Sequence, residues 1–75
     1  MSKYKVYSKK GCIYCDAAMD LLERKNIEFE EIKIDNDAQH LAFLRVKNLR
    51  TVPQIWNPDN EYIGGYTDLK VLLDG

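Results

Sequence analysis

The chain has 75 residues, 45% of them hydrophobic, and a formal net charge of −1. That length holds one domain, residues 1–75, near the lower size limit for folding without a staple or metal. Balanced charge without a long basic run argues against nucleic acid. No apolar stretch reaches membrane-spanning length, and the start Met-Ser-Lys-Tyr-Lys lacks an apolar signal core, so the cytoplasm is the expected setting.

Lys3 to Tyr7 partly alternates and reads as a strand, followed by a loop over Ser8 to Gly11. Ile13 to Lys25 reads as a helix, with Tyr14, Ala18, Leu21 and Leu22 at helical spacing. Arg24 and Lys25 suit its negative end, and Asn26 can take the left-handed stop position. Ile27 to Ile34 predicts a second strand, although its apolar phase shifts between Phe29 and Ile32. Its density of Glu and Lys suits a sheet edge, where charge discourages unwanted pairing. Asn36 or Asp37 can cap a second helix running to about Lys47, with Arg45 and Lys47 at its end. Val52 to Trp56 reads as a strand despite Pro53, and Asn57-Pro58-Asp59-Asn60 turns it into Glu61 to Gly64 as a hairpin. Gly64-Gly65 breaks that strand, and Thr67 or Asp68 can cap a last helix through Leu73. The order is βαβαββα, an α/β chain with a parallel opening unit and an antiparallel closing hairpin.

The only cysteines form Cys12-Ile13-Tyr14-Cys15, at the opening of the first helix. Sulfurs three residues apart on a helix lie one turn apart, within reach of a disulfide. So short a bridge removes little chain entropy and is a poor structural staple. Zinc usually takes four ligands, and here two thiols meet a single histidine, His40, so no metal site is expected. A C-x-x-C between a strand and a helix is the arrangement of a thioredoxin-like redox site. Cys12 stands where the helix N-cap belongs, and Gly11 has no side-chain oxygen for the first-turn amides. A thiolate there can accept from the Tyr14 and Cys15 N–H groups, with Lys9 and Lys10 adding positive charge. Cys12 is therefore the expected nucleophile and Cys15 the less exposed resolving thiol. Two points stay open on the residues alone: Tyr14 can be core or groove wall, and Lys9 and Lys10 can be a solvated loop pair. Pro53 removes a ladder donor from its strand, and a trans bond is the commoner expectation before it.

Cys12-Ile13-Tyr14-Cys15, Thr51-Val52-Pro53-Gln54 and Gly64-Gly65-Tyr66-Thr67-Asp68-Leu69 stand in the order and at the spacing of a glutaredoxin. The resemblance covers nearly all of the chain. Ile13 departs from the family's Cys-Pro-Tyr-Cys, while both sulfurs and the tyrosine stay in place. The resemblance implies a thioredoxin fold, with a four-stranded mixed sheet flanked by three helices. It also implies reduction of protein disulfides and glutathione mixed disulfides, with glutathione as co-substrate. Lys9 would then lie near the glycyl carboxylate, and Tyr14 would form a wall of the substrate groove with Thr51. A cis bond between Val52 and Pro53 would leave the Val52 backbone facing Cys12, free to pair with the cysteine backbone of glutathione. Gly65 would allow close approach, and the amides of Thr67 and Asp68 would hold the γ-glutamyl carboxylate. The Asp68 side chain would take the adjacent ammonium. His40 matches a position of polar glutathione contacts and equally suits a solvated helix face.

Two other functions fit the same frame. One is a short glutaredoxin-like electron donor to ribonucleotide reductase, itself reduced by thioredoxin reductase; Tyr14 and the Thr67-Asp68 pair favour glutathione over it. The other is a dimeric [2Fe–2S] carrier using Cys12 of each chain and two glutathiones, which the bulk of Ile13 disfavours. A monomer acting on glutathionylated or disulfide-containing proteins is the expectation.

Overall fold

The computed structural model describes residues 3–74. Its elements are β1 (Tyr4–Ser8), α1 (Ile13–Arg24), β2 (Phe29–Lys33), α2 (Ala38–Val46), β3 (Gln54–Trp56), β4 (Tyr62–Gly64) and α3 (Tyr66–Asp74). One four-stranded sheet runs in the order β2-β1-β3-β4. β1 is parallel to β2 and antiparallel to β3, and β3 is antiparallel to β4. This is the mixed sheet with three helices that defines a thioredoxin fold.

Strand side chains alternate between faces, and that alternation divides the core in two. Val6 and Ile55 point to one face, where Ala18, Leu21 and Leu22 of α1 and Leu69 of α3 cover them. Their neighbours Tyr7 and Trp56 point to the other, against Leu44 of α2. The phase shift in the second strand has the same origin. Phe29 packs into the first cluster and Ile32 against the second, so β2 is apolar toward both layers. Its remaining residues, Glu30, Glu31 and Lys33, are exposed along the sheet edge.

The first two helices, α1 and α2, end by one device. Asn26 takes φ 57° and Asn48 takes φ 61°. The Ile27 N–H donates to Leu22 O (2.9 Å) and Asn26 N–H to Glu23 O (3.0 Å). Leu49 N–H donates to Leu44 O and Asn48 N–H to Arg45 O, each at 2.9 Å. These are paired Schellman closures with asparagine at the left-handed position. Ile27 is thus spent on closing α1, which is why β2 begins at Phe29 rather than at Ile27. Of the two candidates for the second helix, Asp37 is the cap, accepting from Gln39 N–H at 2.9 Å.

Other boundaries also differ from the sequence expectation. β1 extends to Ser8, which is buried, pairs with Lys33 and donates its hydroxyl to Glu31 Oε2 (2.8 Å). β3 starts at Gln54, opposite Tyr7, leaving Val52 and Pro53 ahead of the ladder. α3 starts at Tyr66, so Thr67 lies inside its first turn and is not its cap. Gly65 occupies the cap position, and Asp68 reaches back to accept its N–H at 3.2 Å. The hairpin turn is held by Asn57, whose Oδ1 accepts from Asp59 N–H (3.0 Å) and Glu61 N–H (2.8 Å).

Candidate functional site

The β1–α1 loop turns at Gly11, φ 76°, and delivers Cys12 to the start of α1 in an extended conformation. Cys12 is the N-cap: its Sγ accepts from Cys15 N–H at 3.1 Å. Of the two amides expected to serve the sulfur, Cys15 provides the hydrogen bond. Cys12 and Cys15 are joined as a disulfide, with Cα atoms 5.2 Å apart. Their exposure is unequal. Cys12 is half-buried at the surface, whereas Cys15 is 1% exposed beneath it.

Across from the disulfide runs the segment before β3. The Val52–Pro53 bond is cis. Cys12 Sγ stands 3.7 Å from the Val52 carbonyl oxygen; the bridged sulfur has no proton, so this is proximity. Gln54, 5% exposed, anchors the segment. Its Nε2 donates to Thr51 O (2.9 Å) and Thr51 Oγ1 (3.2 Å), and its Oε1 accepts from the Tyr62 hydroxyl. A buried amide with both ends satisfied ties the loop to β4. Burial, and then the charge of Asp68, push the Tyr62 hydroxyl above its ordinary range and keep it protonated as that donor.

On the far side, β4 hands over to α3 in tight space. Gly64 takes φ 121°, and a Cβ there would collide with the Asp68 carboxylate. A Cβ on Gly65 would lie 3.5 Å from Pro53 O, so the two segments run side by side. The first backbone bond of α3 joins Leu69 N–H to Gly65 O, and the amides of Thr67 and Asp68 lie ahead of it.

A groove of about 430 Å³ follows these pieces. Seven of the eight residues expected around glutathione line it: Tyr14, Thr51, Val52, Pro53, Gly65, Thr67 and Asp68. Tyr14 is 64% exposed and lies 6.0 Å from Tyr66, ring centre to ring centre, so it is a wall and not core. Lys9 is not in this groove. It lines a neighbouring one of about 480 Å³, which shares Thr51 and Val52 with the first. His40 lies in neither lining; it packs edge-on to Tyr7 at 6.2 Å. Gln54, Tyr62 and Tyr66 complete the first groove; Gln54 and Tyr66 stand in the quoted motifs without a role assigned to them, and Tyr62 was not singled out from the sequence. A glutamine directly after a proline that breaks a strand was the signal available for one of them. Among the described residues, no three of His, Cys, Asp and Glu are grouped to hold a metal ion.

Chemically, the arrangement presents one accessible sulfur, a second sulfur buried behind it, open backbone groups at Val52, and helix amides suited to a carboxylate. The family model for glutaredoxin matches residues 5–63. The chain is 38% identical to glutaredoxin 3 of Escherichia coli over 73 residues, spanning 96% of this chain and 87% of that protein. The crystal structure of glutaredoxin 1 from Francisella tularensis, complexed with cacodylate, superposes with a TM-score of 0.83 at 40% identity, covering 99% of this chain and 94% of the other. A buckwheat glutaredoxin–glutathione complex superposes with a TM-score of 0.76 at 25% identity, covering 89% of this chain and 64% of the other.

Proposed function

This chain belongs to the glutaredoxin family of thiol–disulfide oxidoreductases, and from that premise we propose that it reduces protein disulfides and glutathione mixed disulfides at the expense of glutathione. The observation that carries the reading is the placement of the half-buried Cys12 with its sulfur 3.7 Å from the carbonyl of Val52, which lines a groove that reaches the first-turn amides of α3. That groove has the polarity of an extended γ-glutamyl tripeptide.

In the reductive half, the Cys12 thiolate attacks a substrate disulfide. The substrate S–S bond breaks, one substrate thiol leaves with a proton, and a mixed disulfide forms on Cys12. The Cys15 thiolate then attacks Cys12 Sγ and expels the second substrate thiol, leaving the Cys12–Cys15 bridge. Burial of Cys15 protects it from outside disulfides and reserves it for this step. One glutathione thiolate reopens the bridge as a glutathionyl mixed disulfide on Cys12. A second attacks that sulfur and leaves as glutathione disulfide.

The tripeptide lies along the groove. Val52 pairs through its backbone with the cysteinyl residue, flanked by Thr51 and Pro53, while Tyr14 forms one wall. The γ-glutamyl carboxylate takes the amides of Thr67 and Asp68, and the open backbone at Gly65 allows its approach. Asp68 Oδ2 accepts from Gly65, so Oδ1 remains for the ammonium group. Lys9, around the corner past Val52, takes the glycyl carboxylate. The buckwheat complex supports this reading as a relative that holds glutathione.

A coupled assay tests it. With NADPH, glutathione and glutathione reductase, the protein should turn over a glutathionylated peptide; with NADPH and thioredoxin reductase alone it should not. Turnover by thioredoxin reductase with indifference to glutathione would overturn the proposal in favour of a thioredoxin-reductase-coupled donor.

A further inference from the structure

We propose that the second groove, on the α2 side of Val52, docks an acidic, aliphatic-bearing segment of the protein whose disulfide is being reduced. This rests on the reading of the chain as a protein-disulfide reductase and adds the partner chemistry that the cleft selects.

The groove has a basic rim over an apolar floor. Lys9, Arg45 and Arg50 are exposed at its edge, and Ile34, Leu41 and Leu49 lie half-buried below. No carboxylate lines it. The whole chain carries 11 basic and 12 acidic residues, so three cations without an acid in one lining is local segregation of charge. Within the described chain these cations are also unpaired, although Lys9 is shared with the proposed contact to the glycyl carboxylate. Among the described residues the ion pairs are Arg24–Asp20 and Lys25–Asp74, and neither involves the rim.

Position makes the cleft useful. Thr51 and Val52 line both grooves, and the Val52 carbonyl stands 3.7 Å from Cys12 Sγ. A polypeptide whose cystine meets Cys12 can therefore lay its flanking residues into the second groove. A volume of about 480 Å³ exceeds what the glycyl carboxylate of glutathione fills. An aliphatic side chain on Ile34, Leu41 and Leu49, with carboxylates meeting the three cations, satisfies floor and rim together. Complementary charge of this kind acts mainly on encounter rate and partner choice.

The test uses two peptides of equal length, each closed by an internal disulfide, one flanked by Leu with Asp and Glu and the other by Leu with Lys. Both are assayed with glutathione, glutathione reductase and NADPH, beside a small mixed disulfide of glutathione that has no flanks. The parent should favour the acidic peptide in kcat/KM by about three- to tenfold, and added salt should erode that preference. Arg45→Glu should abolish or invert the preference, and Arg45→Gln should reduce it, with the small mixed disulfide unaffected. Lys47→Glu makes the same charge change just past the end of the same helix but outside the lining, and should keep the preference. Equal use of both peptides by the parent, or equal loss of preference in Arg45→Glu and Lys47→Glu, would overturn the docking site while leaving the reductase intact. Turnover of the small mixed disulfide without turnover of either peptide would remove the protein-disulfide activity itself, and the docking site with it.

Discussion

Cys12 and Cys15 share a disulfide and differ in everything around it: one is half-buried at a helix cap, the other 1% exposed beneath the first turn. The proposed roles, Cys12 attacking and Cys15 resolving, follow that difference, so Cys12→Ser should abolish all disulfide reduction. Cys15→Ser should lose protein-disulfide reduction and still remove glutathione from mixed disulfides, because free glutathione can resolve Cys12. The reverse pattern in the two variants would exchange the roles. Asp68 has two tasks, which substitution can separate. Asp68→Asn keeps an oxygen for the Gly65 N–H and removes the charge proposed to hold the ammonium. Saturation by glutathione should weaken by about ten- to a hundredfold, the equivalent of roughly 1.5–3 kcal/mol, while the melting temperature stays near the parent's. Asp68→Ala should lose both. Equal glutathione kinetics in parent and Asp68→Asn would leave Asp68 as a helix cap alone. The cysteine pair was legible because its chemistry lies in residue type and spacing. Gln54 was not, because its value depends on Tyr62, a partner that only the folded hairpin supplies.

At the scale of elements, order and pairing could be read from periodicity and turn residues, while element ends depended on hydrogen bonds that periodicity does not carry. Asn26 was recognisable as a stop. Asn48 repeats it in the same context, Lys-Asn followed by an apolar residue, and the motif was there to be seen twice. Asn→Ala at either site places a Cβ-bearing residue without asparagine's local compensation at positive φ. It should cost about 1 kcal/mol in urea unfolding, and Asn→Gly should cost less. If alanine and asparagine prove equal at both sites, the left-handed stops contribute nothing. The start of α3 was misread because Thr67 is a good cap by type. The acceptor that matters is Asp68, three residues beyond a glycine that offers only its backbone. The cis Val52–Pro53 bond entered through resemblance, since the residues themselves favour trans.

For the molecule as a whole, separate parts of the chain converge at one end of the sheet, and burial together with charge sets the pH range in which the fold holds. Lys25 at the end of α1 bridges Asp74 at the end of α3 at 2.7 Å. The Lys25 hydrogen bond, with further help from nearby positive charge, holds the Asp74 carboxyl below its ordinary 3.8. A lowered acid favours the fold above the unfolded-state value, and that contribution is lost as pH falls below it. The pair is exposed, so this acid limb should be shallow and sensitive to salt. Tyr7 and Tyr62 are shifted the other way, each above 10.0, first by burial and then by the charges of Glu30 and Asp68 respectively. Their contribution is complete below pH 10 and lost as pH rises through the raised values. Tyr7, 9% exposed, should dominate over Tyr62, 49% exposed. Melting temperatures measured from pH 3 to 11.5 should therefore form a plateau with a weak acid fall and a steeper alkaline one, the latter moderated in Tyr7→Phe. A Tyr7→Phe variant with an unchanged alkaline limb would remove that assignment. Lys9 was the one predicted glutathione contact that folding set apart: loop position gave its distance to Cys12, and only tertiary packing put it in the adjoining groove.

Glutathione is proposed to run from Cys12 past Val52 to the start of α3. The most direct measurement is amide NMR of Cys15→Ser carrying glutathione as a mixed disulfide on Cys12, compared with the same variant carrying a plain methylthio group. Large shifts are expected at Thr67 and Asp68 only when the tripeptide is attached. Shifts confined to the residues beside Cys12 in both adducts, with Thr67 and Asp68 unmoved, would contradict the proposed path.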